Sequence, residues 1–191
     1  MFDDQSTQAP LPGDLAMWFF ILAELTVFAL LILAFAITER LDPGLYAQNR
    51  SLLDLSMGLA LTISLLTSGY LAAMAVASLR KKRPRLGSGL LFGACISALG
   101  YTILKLSEYR HLAAAGLDID ANRFFTLYWI VTGFHFLHVV LGMVILAFMG
   151  LRAWNNHYSS DRLGNLESGV LYWHMVDLIW VVLFPLIYLP R

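Results

Sequence analysis

The chain has 191 residues, of which 59 % are hydrophobic and only 14 % are charged, and its mean hydropathy is +0.68. This composition excludes an ordinary soluble domain and is typical of an integral membrane protein. The formal net charge is zero, so the composition gives no indication of a nucleic-acid partner. The single cysteine, Cys95, excludes a disulfide framework within one chain.

Residues 1–13 contain Asp3 and Asp4 but no lysine or arginine, so the positively charged start of a secretory signal is missing. We therefore predict a cytoplasmic N-terminal segment over residues 1–13 and a transmembrane domain over residues 14–191. Five apolar segments in that domain reach the length of about 20 residues that a membrane-spanning helix needs. They predict an all-α membrane protein, a five-transmembrane-helix bundle, with helices at Leu15–Ile37, Met57–Leu79, Gly87–His111, Phe124–Leu151 and Val170–Leu189.

The orientation of the bundle follows from the basic run Arg80–Arg85, which connects the second and third segments. Lysine and arginine near membrane ends favour the cytoplasmic side. We therefore predict a cytoplasmic N-terminus and a periplasmic C-terminus.

Small residues at four-residue spacing predict that the second and third segments pack against each other, because helices in lipid associate where their backbones can approach closely. The spacing occurs at Ala60, Ser64, Ser68 and Ala72 in one segment and at Gly89, Gly93 and Ser97 in the other.

Ionisable residues inside the apolar segments are costly and are expected to face the interior of the bundle. Depths counted at about 1.5 Å per residue from the predicted helix ends place them in layers. Glu24, His174 and Asp177 fall in the inner half, His135 and His138 lie near the midplane, and Lys105 and Glu108 lie in the outer third.

These residue types also occur in carboxylate-bridged di-iron bundles. However, the predicted depths separate Glu108 from Asp177 by about 10 Å, too far to share a pair of metals. A smaller metal site of His135, His138 and one carboxylate remains an alternative. The favoured interpretation is an intramembrane network of hydrogen-bonded polar residues.

Lys105 and Glu108 are three residues apart and can neutralise each other. His174 and Asp177 are also three residues apart, so the carboxylate can orient the imidazole ring. Glu24 differs because its own helix has no cationic residue near it. It must be neutral or find a partner on another helix, for which the surroundings of His174 and Asp177 are a possible source. Glu24 is therefore the candidate for a proton-linked site.

Four short motifs follow one another along the chain: Ile21–Leu25 (ILAEL), Glu108-Tyr109, Thr132–Gly142 (TGFHFLHVVLG) and Tyr172–Trp180 (YWHMVDLIW). Together they resemble subunit III of haem–copper oxidases, the cytochrome c oxidase subunit III family, from about Gly13 to the C-terminus.

The resemblance implies an all-helical accessory subunit of a bacterial inner membrane, without redox cofactors of its own and without catalytic residues. Haem and copper or iron would lie in partner subunits. The implied partners are a catalytic haem-containing membrane subunit and phospholipids, and the implied roles are assembly, stability and proton uptake. Glu24 corresponds to the buried carboxylate in the first helix of the family's five-helix bundle.

Seven-helix members of the family begin with two further helices that this sequence lacks, so it resembles the five-helix form. Gly13–Trp18 (GDLAMW) and Leu183–Tyr188 (LFPLIY) are most similar to the NorE-like branch associated with nitric oxide reductase. Two other functions remain open: an independent membrane protein that binds metal or haem through His135 and His138, and a small proton-coupled transporter that uses Glu24.

Overall fold

The computed structural model describes residues 15–155 and 163–189, and every regular element in these ranges is an α-helix. Five of the helices are long and apolar enough to cross a membrane, which confirms the predicted all-helical architecture. The segment predicted for residues 1–13 lies outside the described residues. The helices are α1 (Leu15–Leu41), α2 (Pro43–Arg50), α3 (Leu55–Arg80), α4 (Pro84–Ala114), α5 (Arg123–Trp154) and α6 (Leu163–Tyr188).

The last helix begins seven residues earlier than the sequence predicts, at Leu163 instead of Val170. Polar residues in this first part interrupt the apolar pattern without interrupting the helix. Asp177 therefore lies about 21 Å from the beginning of α6, close to its middle and not near one end. The inner-half depth of His174 and Asp177 was counted from Val170, and it stays a prediction.

The short helix α2 lies in the polar connection between the first two membrane segments. Asp42 caps it by accepting a hydrogen bond from the Leu45 amide at 3.1 Å, and Pro43 occupies the first helical position, where no amide donor is needed. Arg50 at its end is buried and donates from Nη2 to the backbone oxygen of Leu186 at 2.8 Å. The α2 segment thereby closes the carboxyl end of α6, where unpaired carbonyls favour a cation.

Asp54 supplies the N-cap of α3. Its carboxylate accepts hydrogen bonds from the Ser56 hydroxyl at 2.5 Å and from the amides of Ser56 and Met57 at 2.8 and 3.4 Å. These bonds lower the pKa of Asp54 below its usual value. A lowered folded-state pKa means that this stabilisation is present at neutral pH and is lost as the pH falls through the lowered value.

Helices α3 and α4 pack closely along small residues, as predicted. The Ser64 and Ser97 hydroxyls each donate to the other's backbone oxygen, at 2.5 and 2.7 Å, and the Ser68 hydroxyl donates to the Ala94 oxygen at 2.8 Å. Gly89 does not belong to this contact, because a Cβ atom added there would meet open space. The α4 side of the interface is therefore formed by Ala94 and Ser97 rather than by the glycine at position 89.

Helices α5 and α6 contact each other at Gly142, where the lack of a side chain leaves room for the ring of Trp173. A Cβ atom at Gly142 would lie 2.5 Å from Cε3 of Trp173, and Trp173 is completely buried. Because the ring has no room to move aside, the absence of a side chain at Gly142 permits this contact.

We expect Gly142→Ala to lower the free energy of unfolding by about 1–3 kcal/mol, because it overpacks the Trp173 ring. Gly89→Ala is the matched control on an open face and should leave stability unchanged or slightly higher. Thermal unfolding of both variants in the same detergent measures the difference. Equal stability of the two variants would contradict the packing described here.

Candidate functional site

Among the ion pairs of the described residues, the most enclosed is the pair of Lys105 and Glu108 on α4. Lys105 is completely buried, and its Nζ lies 2.7 Å from Oε2 of Glu108. Lys105 also donates to the hydroxyls of Tyr128 on α5 and Tyr188 on α6, at 3.1 and 3.2 Å. The Tyr188 hydroxyl in turn donates to Glu108 at 2.7 Å. The cluster is a neutral, internally bonded unit that joins three helices.

Aromatic rings surround the lysine. Four ring centroids lie 4.9–5.7 Å from Nζ, within the range in which a ring face attracts a cation. They belong to Tyr109, Tyr128, Trp180 and Tyr188.

Glu24 on α1 pairs with His138 on α5. Its Oε2 lies 3.0 Å from His138 Nε2, while His138 Nδ1 lies 2.8 Å from the backbone oxygen of Phe134. A carbonyl oxygen can only accept, so Nδ1 carries a proton. The contact at Nε2 then holds one further proton, placed either on the imidazole or on the carboxyl group of Glu24.

This pair lies at the edge of the bundle. The side chain of Glu24 is 21 % exposed and that of His138 is 10 % exposed. The partner of Glu24 is therefore a histidine of α5, and not a group beside His174 or Asp177.

His174 and Asp177 form a separate, looser pair on α6. The distance from His174 Nδ1 to Asp177 Oδ2 is 3.7 Å, which is too long for a hydrogen bond. Asp177 is buried and its carboxylate lies against Gly69 of α3. The pair thus lies at the contact between α3 and α6, with His174 on the outer side.

His135 does not join any of these groups. It is completely buried, and its ring stacks on Trp180 with a centroid distance of 5.2 Å. Within residues 15–155 and 163–189, neither ring nitrogen has a hydrogen-bond partner. His135 therefore packs as an aromatic ring and, among the described residues, makes no hydrogen bond to the other side chains of the predicted polar network.

The alternative metal site at His135 and His138 is not formed by the described residues. His138 bonds to Glu24 while His135 stacks on Trp180. In the part of the chain that the structure describes, no three side chains of His, Cys, Asp or Glu are grouped so that they could hold a metal ion.

Three polar contributors were not identified from the sequence as part of a site. They are Arg50 in α2, Tyr128 in α5 and Tyr188 in α6. Their roles depend on neighbours more than 20 residues away in the chain. The spacing of residues within one segment cannot predict contacts of this kind.

We expect Lys105→Met to lower the free energy of unfolding by about 3 kcal/mol or more, because it leaves the carboxylate of Glu108 buried without its cation. The double variant Lys105→Met/Glu108→Met should be more stable than the sum of its two single changes. Denaturant unfolding in detergent measures the free energy of unfolding of each single variant and of the double variant.

The surface pair Arg80 and Glu167 is the matched control, with N–O distance 2.8 Å and an arginine side chain that is 59 % exposed. Arg80→Ala should cost no more than about 1 kcal/mol. A loss for Lys105→Met as small as that for Arg80→Ala would show that the buried pair does not stabilise the bundle.

Comparison with known proteins identifies relatives over nearly the whole chain. The family described as cytochrome c oxidase subunit III matches residues 13–190. The chain is 31 % identical over 173 residues to cytochrome c oxidase subunit 3 of Synechocystis, covering 89 % of this chain and 72 % of that protein. It is 23 % identical to a probable quinol oxidase subunit 3 of Staphylococcus saprophyticus, covering 97 % and 92 % of the two chains.

A heme-copper oxidase subunit I+III of Aeropyrum pernix is 29 % identical over 194 residues, which cover 94 % of this chain. The chain spans only 23 % of that protein's length. Because the family match extends from residue 13 to residue 190 and includes all five long helices, the chain belongs to the cytochrome c oxidase subunit III family.

Proposed function

We propose that this chain is a cofactor-free accessory subunit of a haem–copper oxidase in a bacterial inner membrane, where it supports assembly and stability. The observation that carries the proposal is the family match over residues 13–190. The proposed partner is a catalytic membrane subunit that holds haem together with copper or iron. The Aeropyrum relative, whose name joins subunits I and III, supports a close association with such a subunit.

The proposed orientation has the N-terminus in the cytoplasm and the C-terminus in the periplasm. Arg80, Lys81, Lys82, Arg83 and Arg85 form the turn between α3 and α4, and all are exposed. The preference of basic residues for the cytoplasmic side supports this orientation. It puts the Arg80–Glu167 pair at the cytoplasmic surface.

We assign the proton-linked role to the Glu24–His138 pair. The geometry at Nε2 supports it, since one proton is shared between two groups of which one is partly exposed. In this role the pair exchanges a proton with the catalytic partner that covers its exposed side, without itself being a site of redox chemistry.

A nitric oxide reductase complex is the second candidate for the parent assembly. The similarity of Gly13–Trp18 and Leu183–Tyr188 to the NorE-like branch favours it, whereas the relatives described above are named as oxidase subunits. The two candidates differ in the partner's metals, because copper is expected in a haem–copper oxidase and non-haem iron in a nitric oxide reductase.

Affinity purification tests the accessory role. We expect tagged full-length chain, extracted from its native membrane in mild detergent, to bring down a haem-containing membrane subunit in a one-to-one ratio. Visible spectra and metal analysis of the complex then distinguish copper from non-haem iron. If a chain that is folded and membrane-inserted brings down no haem protein, the accessory role is wrong.

We expect Glu24→Gln to leave that complex assembled and to slow its proton uptake without abolishing it. The glutamine amide can still donate to His138 Nε2, but it has no proton to release. Proton uptake by the reconstituted complex, followed with a pH-sensitive dye, provides the measurement. Asp120→Asn, in an exposed connection, is the matched control, and equal uptake rates in both variants would rule out the role of Glu24.

A further inference from the structure

A cavity of about 270 Å³ lies between the beginning of α3 and the last turns of α4. Its polar lining residues are Asp54, Ser107, Glu108 and His111, and Met57 belongs to its apolar lining. The cavity lies at the end of these helices that is opposite to the basic turn joining α3 to α4. We call this space the α3–α4 cavity.

The α3–α4 cavity opens at the surface and has room for water. Asp54, Ser107 and His111 are exposed, so polar groups surround its mouth. A water molecule takes up about 30 Å³ in the liquid and needs about two to four polar partners. The cavity can therefore hold several water molecules beside these side chains. It reaches Glu108, which lies about 9 Å along the helix from the end of α4 at Ala114.

Glu108 is where the α3–α4 cavity meets the buried cluster around Lys105. Its side chain is only 7 % exposed, and it is one of the residues that line the cavity. The same carboxylate accepts hydrogen bonds from Lys105 Nζ at 2.7 Å and from the Tyr188 hydroxyl at 2.7 and 2.9 Å. One carboxyl group thus belongs both to an enclosed ion pair and to the wall of a polar cavity.

The hydrogen bond between Lys105 and Glu108 allows the carboxylate to take up a proton without charging the cluster. When a proton moves from Nζ of Lys105 to Oε2 of Glu108, one N–H bond breaks and one O–H bond forms. Both side chains become neutral and the sum of their charges stays zero. The large cost of an isolated buried charge is thereby avoided. The protonated carboxyl group can then exchange its proton with water in the α3–α4 cavity.

The groups at the mouth of the cavity favour this exchange. Asp54 is ionised at neutral pH because its capping hydrogen bonds lower its pKa, and a negative charge raises the local concentration of protons. An imidazole such as that of His111 can accept a proton on one nitrogen and donate from the other. On the bundle side, the titratable neighbours of Glu108 are Lys105, Tyr101 and Tyr109 of α4, Tyr128 of α5 and Tyr188 of α6.

We propose that Glu108 is a second proton-exchange site of the chain, which the α3–α4 cavity connects to the aqueous phase at the periplasmic surface. It is distinct from the Glu24–His138 pair, which joins α1 to α5. The periplasmic assignment rests on the proposed orientation of the chain, whereas the access of water to Glu108 does not.

Carboxyl modification of the folded full-length chain in mild detergent tests the proposal. A water-soluble carbodiimide adds to a carboxyl group that carries its proton. The activated carboxyl group then forms an amide with added glycine ethyl ester or with the amine of Lys105. Peptide mass spectrometry identifies both products. We expect Glu108 to be modified, as is the positive control Glu167, whose side chain is 19 % exposed at the opposite end of the bundle.

Ser107→Trp places a large ring at an exposed position of the cavity wall, and Glu108 should lose its modification while Glu167 retains it. Met57→Trp fills the cavity from α3 and should have the same effect, which provides a second variant if the first does not fold. Ile103→Trp, at an exposed position of α4, is the matched control and should leave the modification of Glu108 unchanged.

Two results would overturn the proposal. One is an unmodified Glu108 in a folded chain whose Glu167 is modified, and the other is unchanged modification of Glu108 in a folded variant with a filled cavity. Because the experiment uses the isolated chain, neither result depends on the accessory role.

Discussion

The structure depends on one constraint, that a charge placed in hydrocarbon must find its counter-charge and its hydrogen-bond partners inside the protein. Lys105 shows how the constraint is met. Its ammonium group contacts a carboxylate, two tyrosine hydroxyls and the faces of aromatic rings, so that a charge with no access to solvent becomes part of a neutral cluster. The same contacts join α4, α5 and α6, so the interactions that stabilise the buried lysine also hold these three helices together.

The other polar pairs are less enclosed and define the edges of the bundle. Glu24 joins α1 to α5 through His138, and the His174–Asp177 pair lies at the contact of α6 with α3. Burial decreases from Lys105 to Glu24. The more enclosed ion pair is suited to stabilise the fold, and the proposed proton-linked role is assigned to the pair that is partly exposed.

The sequence was sufficient to predict the helices and the contacts within one helix. Apolar length predicts five spans, and a spacing of three residues brings Lys105 to Glu108 without knowledge of any neighbour. It was not sufficient for contacts between helices, because these depend on how the helices are arranged around one another. The partner of Glu24 could not be identified for this reason, and the beginning of α6 was predicted too late because its polar first turns, before Val170, are also helical.

We propose that the chain serves a catalytic partner and performs no redox chemistry by itself. Reconstitution tests it most directly. A catalytic complex stripped of this subunit is assayed for turnover and for its working lifetime, before and after the purified chain is added back. The account predicts that the isolated chain has no oxidase or reductase activity and that its return restores the lifetime of the complex. Turnover by the isolated chain, or a stripped complex that is unchanged by its return, would contradict the account.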